Sequence, residues 1–369
     1  MPYPEELFEM GAVRAFPLAE RESLTTVEET MLSPDADPTP LEPDMRQRVD
    51  QCVERIRLAR ERGASVMLIY GAHLIKNGAG PLVIELIRKG WVTHLATNGA
   101  GVIHDWEFAA HGRSTESVRA NVATGTFGTW EETGRTINMA ALTGCARGDG
   151  FGRSLGRVIE TESLAFPENE ELATIDQAPV EEMGARWDLR FAMLRHGIAP
   201  GVERIEHPWK ETSVTGQAFR LDVPLSVHPG IGYDIYTNHP MFHGAAIGRA
   251  AALDFRLFSS AVEGLDDGVV LSVGSAIMGP QVFEKSLSVV NNVRLGQGRD
   301  IVAGHSIYVV DLQDGGGWDW SEGEPPIDNP AYYLRFCKSY ARMGGAMRYL
   351  QCDNVAFLQG LWGRLRPGA

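Results

Sequence analysis

Five short apolar runs, each followed directly by glycine-bearing sequence, constrain this chain more than any other feature. They are SVMLIY (65–70), VTHLAT (92–97), VPLSVH (223–228), GVVLSV (268–273) and HSIYVVDL (305–312). Each has strand length and is apolar on both alternating sets of positions, the pattern of strands covered on both faces. GAHLIKNGAG, NGAG, PGIGYD, GSAIMG and QDGGGWDW follow them in turn. Helical spacing fills the intervals, at 45–62, 81–90, 114–142, 178–197, 243–263 and from Pro280 onward, and a last helical pair is expected at 330–347 and 353–364. Strand, glycine turn and helix in repetition is the βαβ signature. It predicts an α/β fold: one Rossmann-like parallel sheet with helices on both faces.

Parallel strands deliver all such turns to one edge of the sheet, at the carboxyl ends. Open α/β sheets bind ligands there, and glycine lets the backbone approach a phosphate or a ring closely. The expected site is therefore of nucleotide type. No GxGxxG follows any strand and no GxxxxGK[ST] occurs, so neither a standard dinucleotide fingerprint nor a P-loop is present. A GxSxG string, Gly152 to Gly156, follows helical rather than strand sequence, and so lacks the setting of a nucleophile elbow. His228, Asp234, His239 and His243 cluster in HPGIGYDIYTNHPMFHG, but Pro240 interrupts the His239–His243 spacing and no metal is assigned. Asp105, Glu131, Glu132, Asp234, Asp314 and Asp319 lie in or near the turns, where acids suit a cationic substrate or ribose hydroxyls. Trp318 and Trp320 flank Asp319 and could box an alkylammonium by cation–π contact, or simply pack together.

Charge and composition bound the rest. The chain has 369 residues and a net charge of −14, which argues against nonspecific nucleic-acid binding. Residues 1–50 alone carry 12 acids against 4 arginines and hold 7 of the 20 prolines. Residues 1–44 therefore read as an acidic, proline-rich N-terminal arm, and 45–369 as a single domain. No apolar run approaches the ~20 residues of a membrane span. MPYPEELFEM lacks a leader's apolar core, and four scattered cysteines form no CxxC, so a reducing cytoplasm is expected. Basic residues are 29 arginines and only five lysines, Lys76, Lys89, Lys210, Lys285 and Lys338. An amine can attack a carbonyl or imine where a guanidinium effectively cannot, so these lysines are worth following.

In their order along 64–338, these segments resemble the deoxyhypusine synthase family. LIYGAHLIKNG is similar to its first nucleotide-binding segment, LATNGAGVIHDWE to its TTAGG turn followed by acids, and VPLSVHPGIGYDI to the segment ending in Gly-Asp. VVLSVGSAIMGP is similar to its triple-glycine turn, IYVVDLQDGGGWDW to the segment leading to Gly-Ser-Asp-Ser, and 330–340 to the helix with the catalytic lysine. The resemblance implies NAD bound between subunits of a homotetramer. It also implies oxidation of a polyamine, capture of the aminobutyl fragment as an imine on lysine, and transfer to an acceptor amine, in the archetype a protein lysine. It assigns the cofactor to Gly71, Asn77, Thr97, Asn98, Gly99, Gly101, Asp105, Gly274, Ser275 and Asp311. Asp234 and Asp319, with Trp318 and Trp320, would hold the amine. Pro229 stands where a nucleotide-binding aspartate is expected, His104 where a glutamate is, and Phe336 at the ungapped position of the lysine. Lys338 or Lys76 would then capture the imine, and His104 or His228 would move protons. The alternative from the same scaffold is a non-redox or purely binding role towards a nucleotide or sugar derivative. A third reading is a structural oligomer with a relic pocket.

Overall fold

In the computed structural model, which describes residues 7–168, 171, 174 and 177–368, six strands form one sheet. They are β1 (Val66–Tyr70), β2 (His94–Asn98), β3 (Leu225–His228), β4 (Val269–Val273), β5 (Ser306–Asp311) and β6 (Ala346–Gln351). Every neighbouring pair is parallel, and the order across the sheet is β6-β5-β4-β1-β2-β3. Five of the six are the expected runs. The sixth runs to Gln351 from the end of 330–347, a stretch expected to be helical. There the chain makes only a short helix, Arg335–Ala341, before Gly344 and Gly345 break it and β6 begins. Glycine does not sustain a helix, and Gly344 takes a φ of 72°. Likewise 114–142 splits into Val118–Thr124 and Glu131–Cys145, where Gly125 and Gly128 turn with positive φ.

Alternation along the strands builds two cores. Leu68, Tyr70, Leu95, Val227 and Leu271 face one layer, which includes helices Pro43–Glu61, Gly80–Arg88, Gly99–His111 and Asn354–Leu365. Met67, Ile69, Ala96, Val270 and Ile307 face the other, with Gly244–Glu263, Met278–Gly296 and Arg335–Ala341. All five residues of β1 and of β4 are buried, as strands in the middle of a doubly covered sheet must be. No helix among the described residues is long and apolar enough to cross a membrane.

The acidic N-terminal segment is laid on this body instead of standing apart as an arm. Phe16 N–H donates to Thr129 C=O at 2.8 Å, and Phe16 C=O accepts from Glu131 N–H at 2.8 Å. Thr25–Thr26 pairs antiparallel with Arg113–Ser114. Leu32 N–H donates to Gly78 C=O, and Trp362 Nε1–H to Pro34 C=O, both at 3.0 Å. Leu18, Arg21 and Val27 are buried. Proline richness signals extended backbone, and here that backbone finds its hydrogen-bond partners in the domain instead of in water.

Candidate functional site

Read from the other end, the strand order is 3-2-1-4-5-6, that of dinucleotide-binding sheets, with its reversal between β1 and β4. From β1 the chain leaves through Gly80–Arg88 on one face, and from β4 through Met278–Gly296 on the other. The diverging connections open a crevice at the carboxyl ends. Its floor is backbone: Gly71 N–H donates to Val273 C=O at 3.2 Å, and a Cβ placed on Gly71 would lie 2.0 Å from Gly274 C=O. Gly274 has a φ of 60°, in the left-handed region. Ser275 Oγ accepts from Gly279 N–H at 3.0 Å and so shapes the turn into the following helix. Asn77 is exposed at the end of helix Ala72–Lys76. Asp311 ends β5 partly exposed, its Oδ1 accepting from Gln313 N–H at 3.1 Å.

Beside the crevice, β2 runs straight into helix Gly99–His111, with Asn98 Oδ1 accepting from Gly101 N–H at 3.0 Å. His104, on this helix, is held by a chain of hydrogen bonds that sequence reasoning missed. Its Nδ1 lies 2.7 Å from Ser114 Oγ. Ser114 Oγ–H donates to Glu107 Oε2 at 2.6 Å, and Thr133 Oγ1–H to Glu107 Oε1 at 3.0 Å. Arg21 completes the set with a bidentate pair to Glu107 at 2.7 and 2.9 Å. A carboxylate only accepts, so Ser114 commits its single hydrogen to Glu107, and its oxygen takes the hydrogen of His104 Nδ1. The lone pair of His104 is thereby placed on Nε2, which has no hydrogen-bond partner among the described residues. Burial lowers the His104 pKa to about 4; Glu107 opposes this, while Lys76, Arg21 and His73 add to the lowering. The ring is a neutral, oriented acceptor.

Several expected ligands are committed elsewhere. Thr97 is fully buried and its Oγ1–H donates to Tyr70 C=O at 3.0 Å. Gly101 is needed for that packing, since a Cβ there would lie 2.1 Å from Thr97 Oγ1. Asp105 is buried and accepts from Ser213 Oγ at 2.6 Å, Val214 N–H at 2.8 Å and Thr215 N–H at 2.9 Å. It caps helix Val214–Arg220 instead of facing the crevice. Asp234 is buried against Gly99 and accepts from Gly230 N–H at 2.7 Å and Tyr236 Oη at 3.1 Å. Burial raises its carboxyl above the ordinary range. Asp319 is exposed, and its Oδ1 accepts from Ser321 N–H at 2.9 Å and Ser321 Oγ–H at 2.7 Å. It lies in a cavity of about 510 Å³ with Arg48, Arg348 and Gln351, at the β6 end of the sheet. Four strand positions separate β2 from β6, roughly 19 Å at 4.8 Å per strand, so Asp234 and Asp319 do not grip one small amine together. Nor do the indoles form a box: Trp320 is buried with Nε1–H on Gly315 C=O at 2.9 Å, and Trp318 donates to Gly323 C=O at 3.0 Å.

His228 lies against Phe258 and its Nε2 is 3.2 Å from Ser226 Oγ, which also meets His94 Nε2 at 3.0 Å. Burial lowers its pKa to about 4, and that of His94 to about 3. His239 bonds Glu131 at 3.0 Å, and His243 Nδ1 accepts from Ala246 N–H at the start of helix Gly244–Glu263. Among the described residues no three His, Cys, Asp or Glu side chains are arranged to hold a metal ion. Ser154 of the GxSxG string is buried inside helix Phe151–Thr161 and donates to Gly150 C=O at 2.6 Å.

The neutral histidines set a pH dependence. His94, His104, His207 and His228 have folded pKa values of about 3, 4, 4 and 4, below the 6.5 of an exposed imidazole. Between those values the unfolded chain binds protons that the fold excludes, so stability falls as pH drops from 7 towards 5. The loss approaches roughly 2 kcal/mol per histidine at pH 5. Asp254 works against this: burial raises its carboxyl to about 7, so acidification favours the fold there. Calorimetric melting is expected to show a net decrease in Tm over that range; a flat or rising Tm contradicts the assignment.

No family model and no curated protein match the sequence. Among solved structures, the chain is similar to a ternary complex of AgrE with ornithine and NAD+, at 16% identity and TM-score 0.45, covering 89% of this chain and 34% of that one. It is also similar to a conserved putative LOR/SDH protein from Methanococcus maripaludis S2, at 12% identity and TM-score 0.40, covering 91% and 73%. A putative deoxyhypusine synthase from Entamoeba histolytica gives 10% identity and TM-score 0.35, covering 82% and 91%. The chain spans about a third of the length of AgrE and of the cyanobacterial arginine dihydrolase ArgZ.

Proposed function

We propose that this chain is an NAD-dependent enzyme acting on an amine-bearing substrate at the carboxyl edge of its sheet. The observation that carries the reading is the strand order 3-2-1-4-5-6 with Gly71 and Gly274 in backbone contact at the reversal. A side chain on Gly71 would collide with the opposing turn, and Ser275 and Ala276 keep the next positions small, so a dinucleotide can lie directly over the backbone. Gly71, Gly274, Ser275, Asn98 and Asp311 would hold it. When bound, NAD supplies a hydride acceptor for a carbon next to nitrogen.

The chain's own contribution is proton handling and positioning. His104 Nε2, neutral and oriented through Ser114 and Glu107, accepts the proton that leaves the amine. Lys76, at the end of the helix that follows Gly71, is near enough for its charge to act on His104. That makes it the better placed of the two lysines to capture a carbonyl-type carbon next to this base. Lys338, on helix Arg335–Ala341, lies in a separate groove beside Ala276–Ile277, its Nζ 3.5 Å from the centre of the Tyr332 ring. Aminobutyl-type transfer through a lysine imine, in a homotetramer, is the finer form of the same proposal.

A thermal melt tests it. NAD at 1 mM is expected to raise the Tm, and absorbance at 340 nm is expected to appear when an amine is added. Absence of any NAD shift overturns the reading. Stabilisation by other nucleotides or sugars in place of NAD would favour a non-redox role on the same scaffold.

A further inference from the structure

The turn after β4 also forms one wall of a second feature. A groove of about 470 Å³ runs between Ala276–Ile277, helix Met278–Gly296 and helix Arg335–Ala341. Lys285, Arg335, Lys338 and Arg342 line it. This is an unusual place for four cations in a chain with 48 acids against 34 basic residues, and two of its five lysines are here.

The acids that face these cations are few. Glu284 pairs with Lys285 at 2.8 Å, and Glu324 with Arg342. Both pairs are solvent-exposed, where an ion pair contributes ~1 kcal/mol or less and yields readily to a better anion. Arg335 makes no hydrogen bond or ion pair among the described residues, and Lys338 rests on the face of Tyr332 with its charge also felt at Glu324. Ser339 and Gln281 add neutral donors, while Ile277 and Pro280 supply an apolar wall.

From this geometry we infer that the groove binds the anionic group, carboxylate or phosphate, of a substrate whose body extends along Ile277 towards the switch-point crevice. The inference rests on the proposed function for the amine and takes the place of its finer, aminobutyl-transfer form. The substrate would then be a zwitterionic or phosphorylated amine rather than a polycation. The committed state of Asp234 fits this, because its carboxylate is already held by Gly230 and Tyr236 and is not offered to a polyamine.

Isothermal titration of the full chain without NAD tests the groove. The probes are succinate, inorganic phosphate and cadaverine, each at 50 and 250 mM salt. The wild type is compared with Arg335→Gln/Lys338→Gln, an exposed and a partly exposed position whose replacement is expected to leave the Tm within 2 °C. One of the two anions is expected to bind, with affinity falling as salt rises and at least tenfold weaker in the double variant. Which anion binds tells carboxylate from phosphate. Cadaverine is expected to give no heat. Preferential binding of cadaverine, no binding of either anion, or equal anion binding by the variant overturns the inference. A parallel melt with NAD separates the two readings. If NAD fails to stabilise the wild type but anion binding is present, the nucleotide reading falls and the groove stands. If the double variant also loses its NAD shift, the groove serves the dinucleotide phosphates and the substrate assignment is wrong.

Discussion

Replacing Gly71 with alanine is expected to destabilise the protein by about 3 kcal/mol or more and to abolish nucleotide binding. The new methyl would sit 2.0 Å from Gly274 C=O and 3.0 Å from its carbonyl carbon. Neither atom belongs to a flexible side chain. Gly274 is itself tied to β5, because its N–H donates to Val310 C=O at 2.9 Å. The two central strands would have to separate at their carboxyl ends, where the crevice floor is made. Gly90 supplies the control. It has a φ of 71° and nothing within 4 Å of an added Cβ, so alanine there costs only the left-handed backbone strain of roughly 1–2 kcal/mol. Urea denaturation of both variants, followed by NAD titration, reads the difference. If Gly71→Ala is no less stable than Gly90→Ala, the two turns are not in contact as described.

Arg21→Ala should be comparably damaging, at about 3–5 kcal/mol, because it strands a buried carboxylate. Both partners of the Arg21–Glu107 pair are almost wholly inaccessible, at 2% and 1% side-chain exposure. Burial alone pushes the Glu107 carboxyl up, but the Arg21 charge and hydrogen bonds, helped by Ser114, hold it below the ordinary range. In the wild type this contribution is present above the unfolded carboxyl pKa and is lost as pH falls through the folded value. Without Arg21 only burial remains to dominate, the folded pKa rises, and the penalty grows with pH. The variant should therefore be closer to wild type at pH 5 than at pH 8, and Arg21→Met/Glu107→Met should recover much of the loss. A second consequence separates positioning from mere packing. Once Glu107 carries a proton it can donate to Ser114, which frees the Ser114 hydrogen for His104 Nδ1 and moves the ring proton to Nε2. Imidazole 15N shifts report that tautomer directly. An Arg21→Ala protein with wild-type stability and an unchanged His104 tautomer would remove the network from the account.

Particular residues show why some of this was legible and some was not. Five strands announced themselves because the four interior strands, and β3 buried at the far edge, are apolar on both faces, and that requirement is written within a few consecutive residues. β6 did not, because at its edge the residues Ala346, Arg348, Tyr349 and Gln351 remain partly or fully exposed, unlike those of β3 at the opposite edge. Its alternation is therefore weak. The glycine turns marked the rim correctly for the same local reason. Acids near those turns were misleading: Asp105 and Asp234 look like ligands in sequence, yet Asp105 is held by donors from Ser213 to Thr215 and Asp234 by Gly230 and Tyr236 of its own loop. His104 and Glu107 lie three apart on one helix, a spacing that brings side chains together and could have drawn attention to Glu107. Nothing in the neighbourhood of Arg21 identifies its partner, 86 positions away.

Local patterning thus settled the class of fold and the edge at which the glycine turns gather, because strand burial and left-handed turns are properties of short segments. Which polar groups stay free at that edge was decided only by tertiary packing. A buried carboxylate is satisfied by whichever donors the fold brings to it, and for Asp105 and Glu107 the decisive ones come from distant stretches of chain. For that reason the packed N-terminal segment, the oriented His104 and the basic groove beside β4 belong to the three-dimensional arrangement and have no counterpart in any run of consecutive residues.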